Sequence, residues 1–346
     1  MNDSLQLYSE ELSIVTKPIP KLSNPEDVLI RVAYSGICGT DLHIIAGEFP
    51  ASTKALTLGH EFCGIIENVG SSVTTFKVGD RVVVNPNSNC NVCSYCRKGK
   101  QHFCVKGRTK SAIGIYKNGG WSNYCRVPSH LVYILPVQIP LKNGIFVEPM
   151  SCILRGWKQI DGLDQNANIL IIGCGIIGLL WTCFLHYKGY RNLSLSELNK
   201  QRKEIASRMG LSVFTPNELK ERKDLDESFG FDLIIDCSGS PKAIESAFEW
   251  TNLGATFLCF GMCPKESEIN ICPFDIFSKE LKILGSLINP FTFDASVSVV
   301  HAMKDYLSYD KLGIEVFTLQ DYNVALDSLK SGTTTKSVFK LDFNAD

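Results

Sequence analysis

The chain lacks an excess of charge of either sign. Its 35 lysine and arginine residues nearly balance 36 aspartate and glutamate residues, which leaves a formal net charge of -1 over 346 residues. Proteins that bind nucleic acids or acidic membranes carry a basic patch as their electrostatic footprint. The balance of charge argues against both partner classes and predicts a small-molecule partner.

The chain also lacks a long hydrophobic segment. The apolar run over residues 169–185 carries no charge, but it is shorter than the roughly 20 residues that cross a bilayer, and three glycines interrupt it. A strand, a turn and a helix explain this run better, so we predict no membrane partner. Residues 1–10 contain neither the basic nor the apolar region of a secretory signal, and we therefore expect a cytoplasmic protein.

Cysteine, in contrast, is abundant, with 14 residues. In a chain without a secretory signal, this number indicates metal binding and reduced thiols more than a disulfide framework. Cys38, His60 and Glu61 lie within one short stretch. Thiolate, imidazole and carboxylate are the ligand types of zinc, and three protein ligands leave one position open for water or substrate. The stretch therefore predicts a catalytic metal site.

Four further cysteines form a second motif, C-x2-C-x2-C-x7-C, in a polar loop that we place at residues 88–106. They are Cys90, Cys93, Cys96 and Cys104. Four thiolates can surround one tetrahedral ion and leave no position free, so the motif predicts a structural zinc lobe. An iron–sulfur site would place its fourth cysteine sooner and before a proline, and a redox pair needs only two cysteines.

A change in pattern divides the chain. Short β-type runs separated by turn signals, such as residues 28–34 and 61–69, predict a β-rich, barrel-like first part. From residue 168 onward, strands alternate with helices, which is typical of a parallel sheet. The sequence therefore predicts two domains with different architectures.

A glycine-rich turn follows the first apolar strand of the second part. Gly173, Gly175 and Gly178 form the pattern G-x-G-x-x-G at the start of a helix, and a second strand ends at Glu197. In this context the pattern predicts a dinucleotide site, with the pyrophosphate at the helix N-terminus and the carboxylate on the adenosine ribose. A carboxylate there would repel a 2′-phosphate, which favours NAD over NADP, although Arg202 could attract such a phosphate.

These motifs together resemble the zinc-dependent medium-chain dehydrogenases, in particular the polyol and threonine dehydrogenase branch. The resemblance spans the chain and rests on Cys38-Gly-Thr-Asp-Leu-His43, Gly59-His60-Glu61, the four-cysteine lobe, Glu148-Pro149 and Gly173–Gly178, in family order. It implies an α/β protein with a GroES-like β-barrel catalytic domain, residues 1–149 and 288–346. This domain would be interrupted by a Rossmann domain, a doubly wound parallel sheet at residues 150–287, with the active site in the cleft between them.

The resemblance also implies roles at the metal. Cys38, His60 and Glu61 would bind the catalytic zinc, and Glu148 would approach it as an alternative ligand or through water. Taken alone, Glu148 is more typical of an acidic residue at a helix N-terminus, where it interacts favourably with the helix dipole. Asp41 would orient His60, with an Asx-turn residue as the alternative interpretation.

By the same resemblance, the enzyme transfers a hydride from a zinc-bound secondary alcohol to NAD. Thr40 would take the alcohol proton and His43 would pass it to solvent through the cofactor ribose; a histidine pKa near 6.5 suits this task. The alternative for His43 is an ordinary solvated loop histidine. The resemblance further implies a homodimer or homotetramer assembled through the edges of the Rossmann sheets.

The residues expected to contact the substrate differ from those of sorbitol dehydrogenases. Sorbitol dehydrogenases have an Arg-Tyr pair where this chain has Ile288-Asn289, and a tyrosine where it has Ile44. The segment Asn289-Pro290-Phe291 resembles arabinitol-type dehydrogenases and favours a pentitol such as D-arabinitol, converted to the ketose. The alternatives are oxidation of L-threonine, and a non-catalytic nucleotide or redox sensor that kept the fold.

Overall fold

The computed structural model describes residues 1–8, 11–48, 55–107 and 111–341. In chain order, the strands are β1 (Asn2–Tyr8), β2 (Glu11–Lys17), β3 (Asp27–Gly36), β4 (Leu56–Thr57), β5 (Glu61–Val69), β6 (Arg81–Val84), β7 (Tyr124–Pro128), β8 (Val132–Ile134), β9 (Ile169–Ile172), β10 (Leu193–Ser196), β11 (Ser212–Phe214), β12 (Phe231–Asp236), β13 (Thr251–Cys259), β14 (Lys282–Gly285), β15 (Ile314–Phe317) and β16 (Lys336–Lys340).

The α-helices of the described residues are α1 (Gly39–Ile45), α2 (Ser94–Arg97), α3 (Val147–Trp157), α4 (Ile176–Tyr187), α5 (Lys200–Arg208), α6 (Pro216–Leu225), α7 (Pro241–Ala247), α8 (Pro273–Ser278), α9 (Phe293–Ala302), α10 (Tyr309–Leu312) and α11 (Tyr322–Ser331). Short 3-10 helices occupy Gln101–Phe103, Ser129–Leu131, Leu141–Phe146, Phe248–Trp250 and Leu319–Asp321.

A seven-stranded sheet forms the β-rich part, with the order β15-β16-β3-β5-β6-β8 and with β7 also paired to β3. A smaller sheet, β2-β1-β4, accompanies it. β3 is the centre of the larger sheet because β16, β5 and β7 all pair with it. Strands from residue 27 and from residue 340 therefore belong to one sheet, as expected for a domain that two distant parts of the chain build.

The second part is a six-stranded parallel sheet with the order β11-β10-β9-β12-β13-β14. The order reverses at β9, whose neighbours are β10 and β12. In register, Ile172 at the end of β9 lies opposite Ser196 and Asp236. Ligands of open α/β sheets bind outside the carboxyl ends of the strands at such a reversal. The predicted α/β fold class and doubly wound sheet are confirmed.

The burial of β9 explains its apolar sequence. Ile169 and Ile171 face the core that β9 shares with α4, whereas Leu170 and Ile172 face a second core with Phe257 and Ile234. A strand covered on both faces needs apolar residues at every position, because neither face reaches water. The run that could be mistaken for a membrane segment is β9, a turn and α4, as predicted.

Across the described ranges, no helix is both long and apolar enough to span a bilayer. Helix α3 lies between the two parts of the chain and packs against α9 and α4. Its apolar residues, such as Met150 and Ile153, belong to the same core as Leu179 of α4 and Val338 of β16. The two sheets therefore share a continuous core near α3, and the division of the chain at residues 149/150 and 287/288 stays a prediction.

Candidate functional site

Antiparallel pairing brings the predicted ligands of the catalytic metal together. β3 and β5 pair so that Gly36 lies opposite Glu61, and Cys38 follows β3 at the N-terminus of α1. One ligand atom from each of Cys38, His60 and Glu61 lies within 4.8 Å of the others. His60 and Glu61 are buried, and Cys38 is half-buried. We call Cys38, His60 and Glu61 the metal cluster, as distinct from the four-cysteine lobe.

The donor set of this cluster fits zinc, since it offers one thiolate, one imidazole and one carboxylate. Burial alone would lower the pKa of His60, but the neighbouring Asp41 and Cys38 together raise it well above its ordinary value. The imidazole thus lies in a negative environment that also suits a divalent cation. Cys38, His60 and Glu61 are the residues that could hold the ion.

Asp41 is fully buried, and its carboxylate contacts both halves of the cluster. Oδ2 accepts the backbone N–H of Cys38 at 2.8 Å, and Oδ1 lies 3.4 Å from Nδ1 of His60. The first contact closes the first turn of α1, and the second leaves Nε2 as the ring nitrogen available to a metal. The two interpretations of Asp41, as an orienting carboxylate and as a turn residue, are therefore compatible in one side chain.

Glu148 lies in the first turn of α3, where it is half-buried. Burial raises the pKa of Glu148 to about 7, with His60 opposing and Glu61 adding to this effect. The thiol of Cys152, one turn later, donates to Oε1 of Glu148 at 3.6 Å. The sequence analysis assigned no chemistry to Cys152. The spacing of four residues between Glu148 and Cys152 on one helix would have predicted that their side chains are neighbours.

Lys336 is a buried cation that sequence reasoning missed. Its Nζ forms an ion pair with Oε2 of Glu61, and the two side chains are only 2% and 1% exposed. Burial alone would lower the pKa of Lys336, but Glu61 and Cys38 raise it above its ordinary value. Lysine is rarely buried unless it is paired. The carboxylate of Glu61 thus has a cation beside it in the absence of a metal.

The predicted proton relay lies on α1. Thr40 and His43 are half-buried and three residues apart, so that they share one face of the helix. Nδ1 of His43 lies 2.6 Å from Oε2 of Glu48, which is exposed. Glu48 was not predicted.

The four cysteines of the predicted lobe converge, because Cys90, Cys93, Cys96 and Cys104 place their sulfur atoms within 4.8 Å of one another. A hydrogen bond from the backbone of Cys96 lowers the pKa of Cys93 to about 6. Burial alone would raise the pKa of Cys104, but the N–H groups of Cys90 and Gly107, at 3.3 and 3.2 Å, contribute to lowering it. Burial raises the pKa of Cys96 to about 12. Four converging sulfur donors fit a closed tetrahedral zinc site.

The glycine-rich turn lies at the reversal of the parallel sheet. Gly173 has a φ of +97°, in the left-handed region. A methyl group at Gly178 would overlap the carbonyl oxygen of Gly173, so only glycine lets α4 approach the strand this closely. Gly175 precedes α4, and no atom lies within 4 Å of the place where its Cβ would be. That open space lies where the pattern places a pyrophosphate.

Glu197 and Arg202 follow β10 at the same edge of the sheet. Oε2 of Glu197 accepts the N–H of Cys174, within the glycine-rich turn, at 2.7 Å, and Oε1 accepts two N–H groups from the residues after it. Arg202 donates through Nη2 to the carbonyl of Leu329 at 3.1 Å, near the end of α11. The acid therefore adjoins the predicted nucleotide loop, and the guanidinium contacts the β-rich part.

Comparison with known proteins agrees with this geometry. The family model described as "Alcohol dehydrogenase GroES-like domain" matches residues 24–137, and the one described as "Zinc-binding dehydrogenase" matches residues 177–302. A zinc-binding dehydrogenase of Sinorhizobium meliloti 1021, solved with NADP, superposes with a TM-score of 0.86 at 30% identity, over 98% of this chain and 99% of that one. The fold and site thus define an alcohol dehydrogenase that uses zinc and a nicotinamide cofactor.

Three curated relatives indicate which dehydrogenases the chain is similar to. A D-altritol 5-dehydrogenase of Agrobacterium fabrum is 32% identical over 76% of this chain and 77% of its own. D-arabinitol dehydrogenase 1 of Uromyces fabae is 28% identical and an L-threonine 3-dehydrogenase of Caldanaerobacter subterraneus 30% identical, each over 96% of both chains. The chain belongs to the zinc-dependent medium-chain dehydrogenases, and it is an oxidoreductase that acts on alcohols.

Proposed function

We propose that the protein oxidises a secondary hydroxyl of a polyol, a pentitol such as D-arabinitol, to the ketose with NAD, and catalyses the reverse reduction. The observation that carries the proposal is the cluster of Cys38, His60 and Glu61, together with the half-buried Thr40 and His43 on the helix that follows Cys38. Relatives that act on altritol and arabinitol support the substrate class.

In this proposal, Cys38, His60 and Glu61 would hold the catalytic zinc, with Glu148 as an alternative ligand or a partner through water, and the four-cysteine lobe would hold a structural zinc. When bound, the catalytic ion supplies Lewis acidity to the hydroxyl, and the nicotinamide supplies the hydride acceptor. Asp41 fixes the ring of His60 through the contact at Nδ1. The protein itself thus contributes a fixed set of metal ligands, together with the carboxylate of Glu148.

The alcohol proton leaves through Thr40 and His43. The hydroxyl of Thr40 would accept it and the imidazole of His43 would receive it next; the ribose of a bound cofactor would supply the hydroxyl group that links them. Glu48 lies 2.6 Å from Nδ1 of His43 and orients the imidazole for this transfer. Since Glu48 is exposed, the proton reaches solvent at this end of the relay.

NAD is the proposed cofactor, with its adenosine ribose on Glu197. A 2′-phosphate would meet the carboxylate of Glu197, and Arg202, the group that could offset this repulsion, already donates to the carbonyl of Leu329. Gly173, Gly175 and the N-terminus of α4 would hold the pyrophosphate.

A polyol fits the site better than L-threonine. An amino acid brings a carboxylate, which requires a cation in the pocket. Lys336 is a cation beside the cluster, but it is buried and paired with Glu61. Asn289 is 2% exposed and Ile44 3% exposed, so neither side chain replaces the polar pocket residues of sorbitol dehydrogenases. The residues at these two positions thus differ from those of sorbitol dehydrogenases. This difference favours a polyol shorter than sorbitol as the substrate.

The edge of the Rossmann sheet is the proposed subunit interface, in a homodimer or a pair of such dimers. β14 is an edge strand. Near it, Leu253, Phe274 and Phe277 are 80%, 68% and 79% exposed. A second copy of the chain could cover these side chains and extend the sheet.

The test is the rate of NAD reduction by the zinc-loaded protein with D-arabinitol, xylitol, sorbitol and L-threonine, with NADP in parallel. We expect turnover of a pentitol with NAD, and a loss of at least about 100-fold in a Thr40→Ala variant that keeps its zinc. Turnover of threonine alone would overturn the polyol proposal. If the protein binds NAD and zinc but turns over none of the four, the sensor alternative replaces the enzyme.

A further inference from the structure

The linker between β14 and α9 contains an unusual backbone conformation. Ile288 and Phe291 have φ angles of +43° and +58°, and they flank Asn289 and Pro290. Residues other than glycine rarely adopt positive φ, and β-branched residues such as isoleucine are strongly disfavoured there. Such a conformation persists only where surrounding contacts over-determine it, and it is concentrated at functional sites.

The contacts that hold this linker converge on the side chain of Asn289, which is buried. Its Nδ2 donates to Oγ of Ser151 at 2.7 Å and to Oδ1 of Asn85 at 3.3 Å. Its Oδ1 accepts from Nδ2 of Asn87 at 2.8 Å. Both amide hydrogens and the oxygen are therefore used, which fixes the orientation of the amide. Thr292 adds a bond to the carbonyl of Ser151 at 2.7 Å.

Ser151 passes the constraint on to the active site. Its hydroxyl accepts from Asn289 and donates to the carbonyl of Glu148 at 2.5 Å. Ser151 is fully buried, so water cannot replace either bond. The hydrogen bonds thus run in one direction, from Asn87 through Asn289 and Ser151 to the first turn of α3. That turn carries the Glu148 carboxylate, whose charge interacts with those of His60 and Glu61.

We propose that Asn289 is a positioning residue that fixes Ser151, and with it the first turn of α3, so that the carboxylate of Glu148 faces the metal cluster. The proposal deepens the proposed function, on which it rests for the role of Glu148 beside zinc. It also assigns a task to Asn289, which occupies a position expected to contact substrate but lies buried in a network of asparagine and serine side chains.

The experiment compares Asn289→Ala with Asn143→Ala as a matched control. Asn143 is also a buried asparagine, 4% exposed, but its side chain donates to the carbonyl of Leu307 at 3.3 Å and takes no part in the network of Asn289 and Ser151. We expect Asn289→Ala to lower kcat by about 10- to 100-fold, the cost of a small displacement of a reacting group, with the KM for NAD unchanged. Asn143→Ala should keep kcat within about twofold, since surface or core changes away from the site act on stability.

A second readout does not depend on turnover. Cobalt(II) in place of zinc has a visible spectrum that reports the donor geometry at the cluster. Asn289→Ala and Ser151→Ala should change this spectrum in the same way, and the double variant should lose no more activity than either single one, because both changes break one route. If no alcohol is turned over, the spectrum still tests the positioning, so failure of the substrate proposal is recognised separately.

An unchanged kcat and an unchanged cobalt spectrum in Asn289→Ala, relative to the Asn143→Ala control, would overturn the proposal. Losses that multiply in the double variant would also overturn it, since they would show that Asn289 acts by another route than Ser151. If Asn289→Ala does not fold, Asn289→Asp serves instead. It keeps the shape of the side chain and the contact with Asn87, but it has no hydrogen to donate to Ser151.

Discussion

Replacing Lys336 by methionine should harm the protein much more without zinc than with it. The change removes the cation but leaves the Glu61 carboxylate in the same place, 1% exposed. Removing one partner of a buried ion pair costs about 3–5 kcal/mol, because the other charge stays buried without compensation. In the metal-free protein, we expect Lys336→Met to lower the free energy of unfolding by this amount.

Bound zinc changes the outcome, since the ion then balances the charge on Glu61. If the loss in the zinc-loaded protein is about 1 kcal/mol, typical of a core substitution of similar size, a difference of about 3 kcal/mol separates the two forms. By linkage, the variant must then bind zinc about 100-fold more tightly than the wild type. Lys336 would thus weaken metal binding while it stabilises the metal-free fold.

Two assays measure these quantities. Denaturant unfolding, followed through the four tryptophans, gives the stability of the metal-free and zinc-loaded forms, and a competing chelator gives the zinc affinity. The four-cysteine lobe is common to both proteins, so its contribution cancels in the difference. Lys340→Met, a half-buried lysine on the same strand, is the control. Equal destabilisation with and without zinc, or an unchanged zinc affinity, would refute the reasoning.

Two further predictions concern Gly178 in α4 and Glu148 in α3. Gly178→Ala should weaken dinucleotide binding and cost about 1–3 kcal/mol in stability, because its methyl group would overlap the carbonyl of Gly173; NADH titration and thermal melting measure both, and normal binding would contradict the role of the close approach. Burial is the largest cause of the rise in the pKa of Glu148 from 4.5 to about 7, so its stabilising contribution to the metal-free fold is complete below pH 4.5 and about 3 kcal/mol of it is lost as the pH rises through 7. Across this range, the stability of the wild type should fall by about 3 kcal/mol more than that of Glu148→Gln, and parallel unfolding curves would count against the role of Glu148.

The sequence predicted what depends on local pattern. The unbroken apolar strand β9, the glycine-rich turn and Glu197 lie within 30 residues or so of one another, and their order alone indicates a βαβ unit. The four cysteines converge for a similar reason, because spacings of two and seven residues let one loop surround an ion. Each of these features is a property of a short segment, which the rest of the protein only has to accommodate.

Contacts between distant segments were not predictable in this way. Lys336 and Glu61 are 275 residues apart, and nothing in the residues around either one indicates the other. Asn289 was considered as a residue near the substrate, whereas its side chain is buried among Asn85, Asn87 and Ser151. Register and topology decide these contacts, and both arise from pairing across the whole chain.

The long separation of Glu61 and Lys336 along the chain also determines the order in which parts of the protein can fold during synthesis. Glu61 leaves the ribosome 275 residues ahead of Lys336, a delay of roughly 14 to 55 seconds at about 5–20 residues per second. Until then, β3 and β5 can pair, but the carboxylate has no lysine beside it, and the sheet has no β16 along β3. The contiguous parallel sheet, from β9 to β14, emerges within this interval. The nascent chain thus has time to complete its nucleotide-binding half before the last strand closes the metal-binding half and neutralises its buried acid.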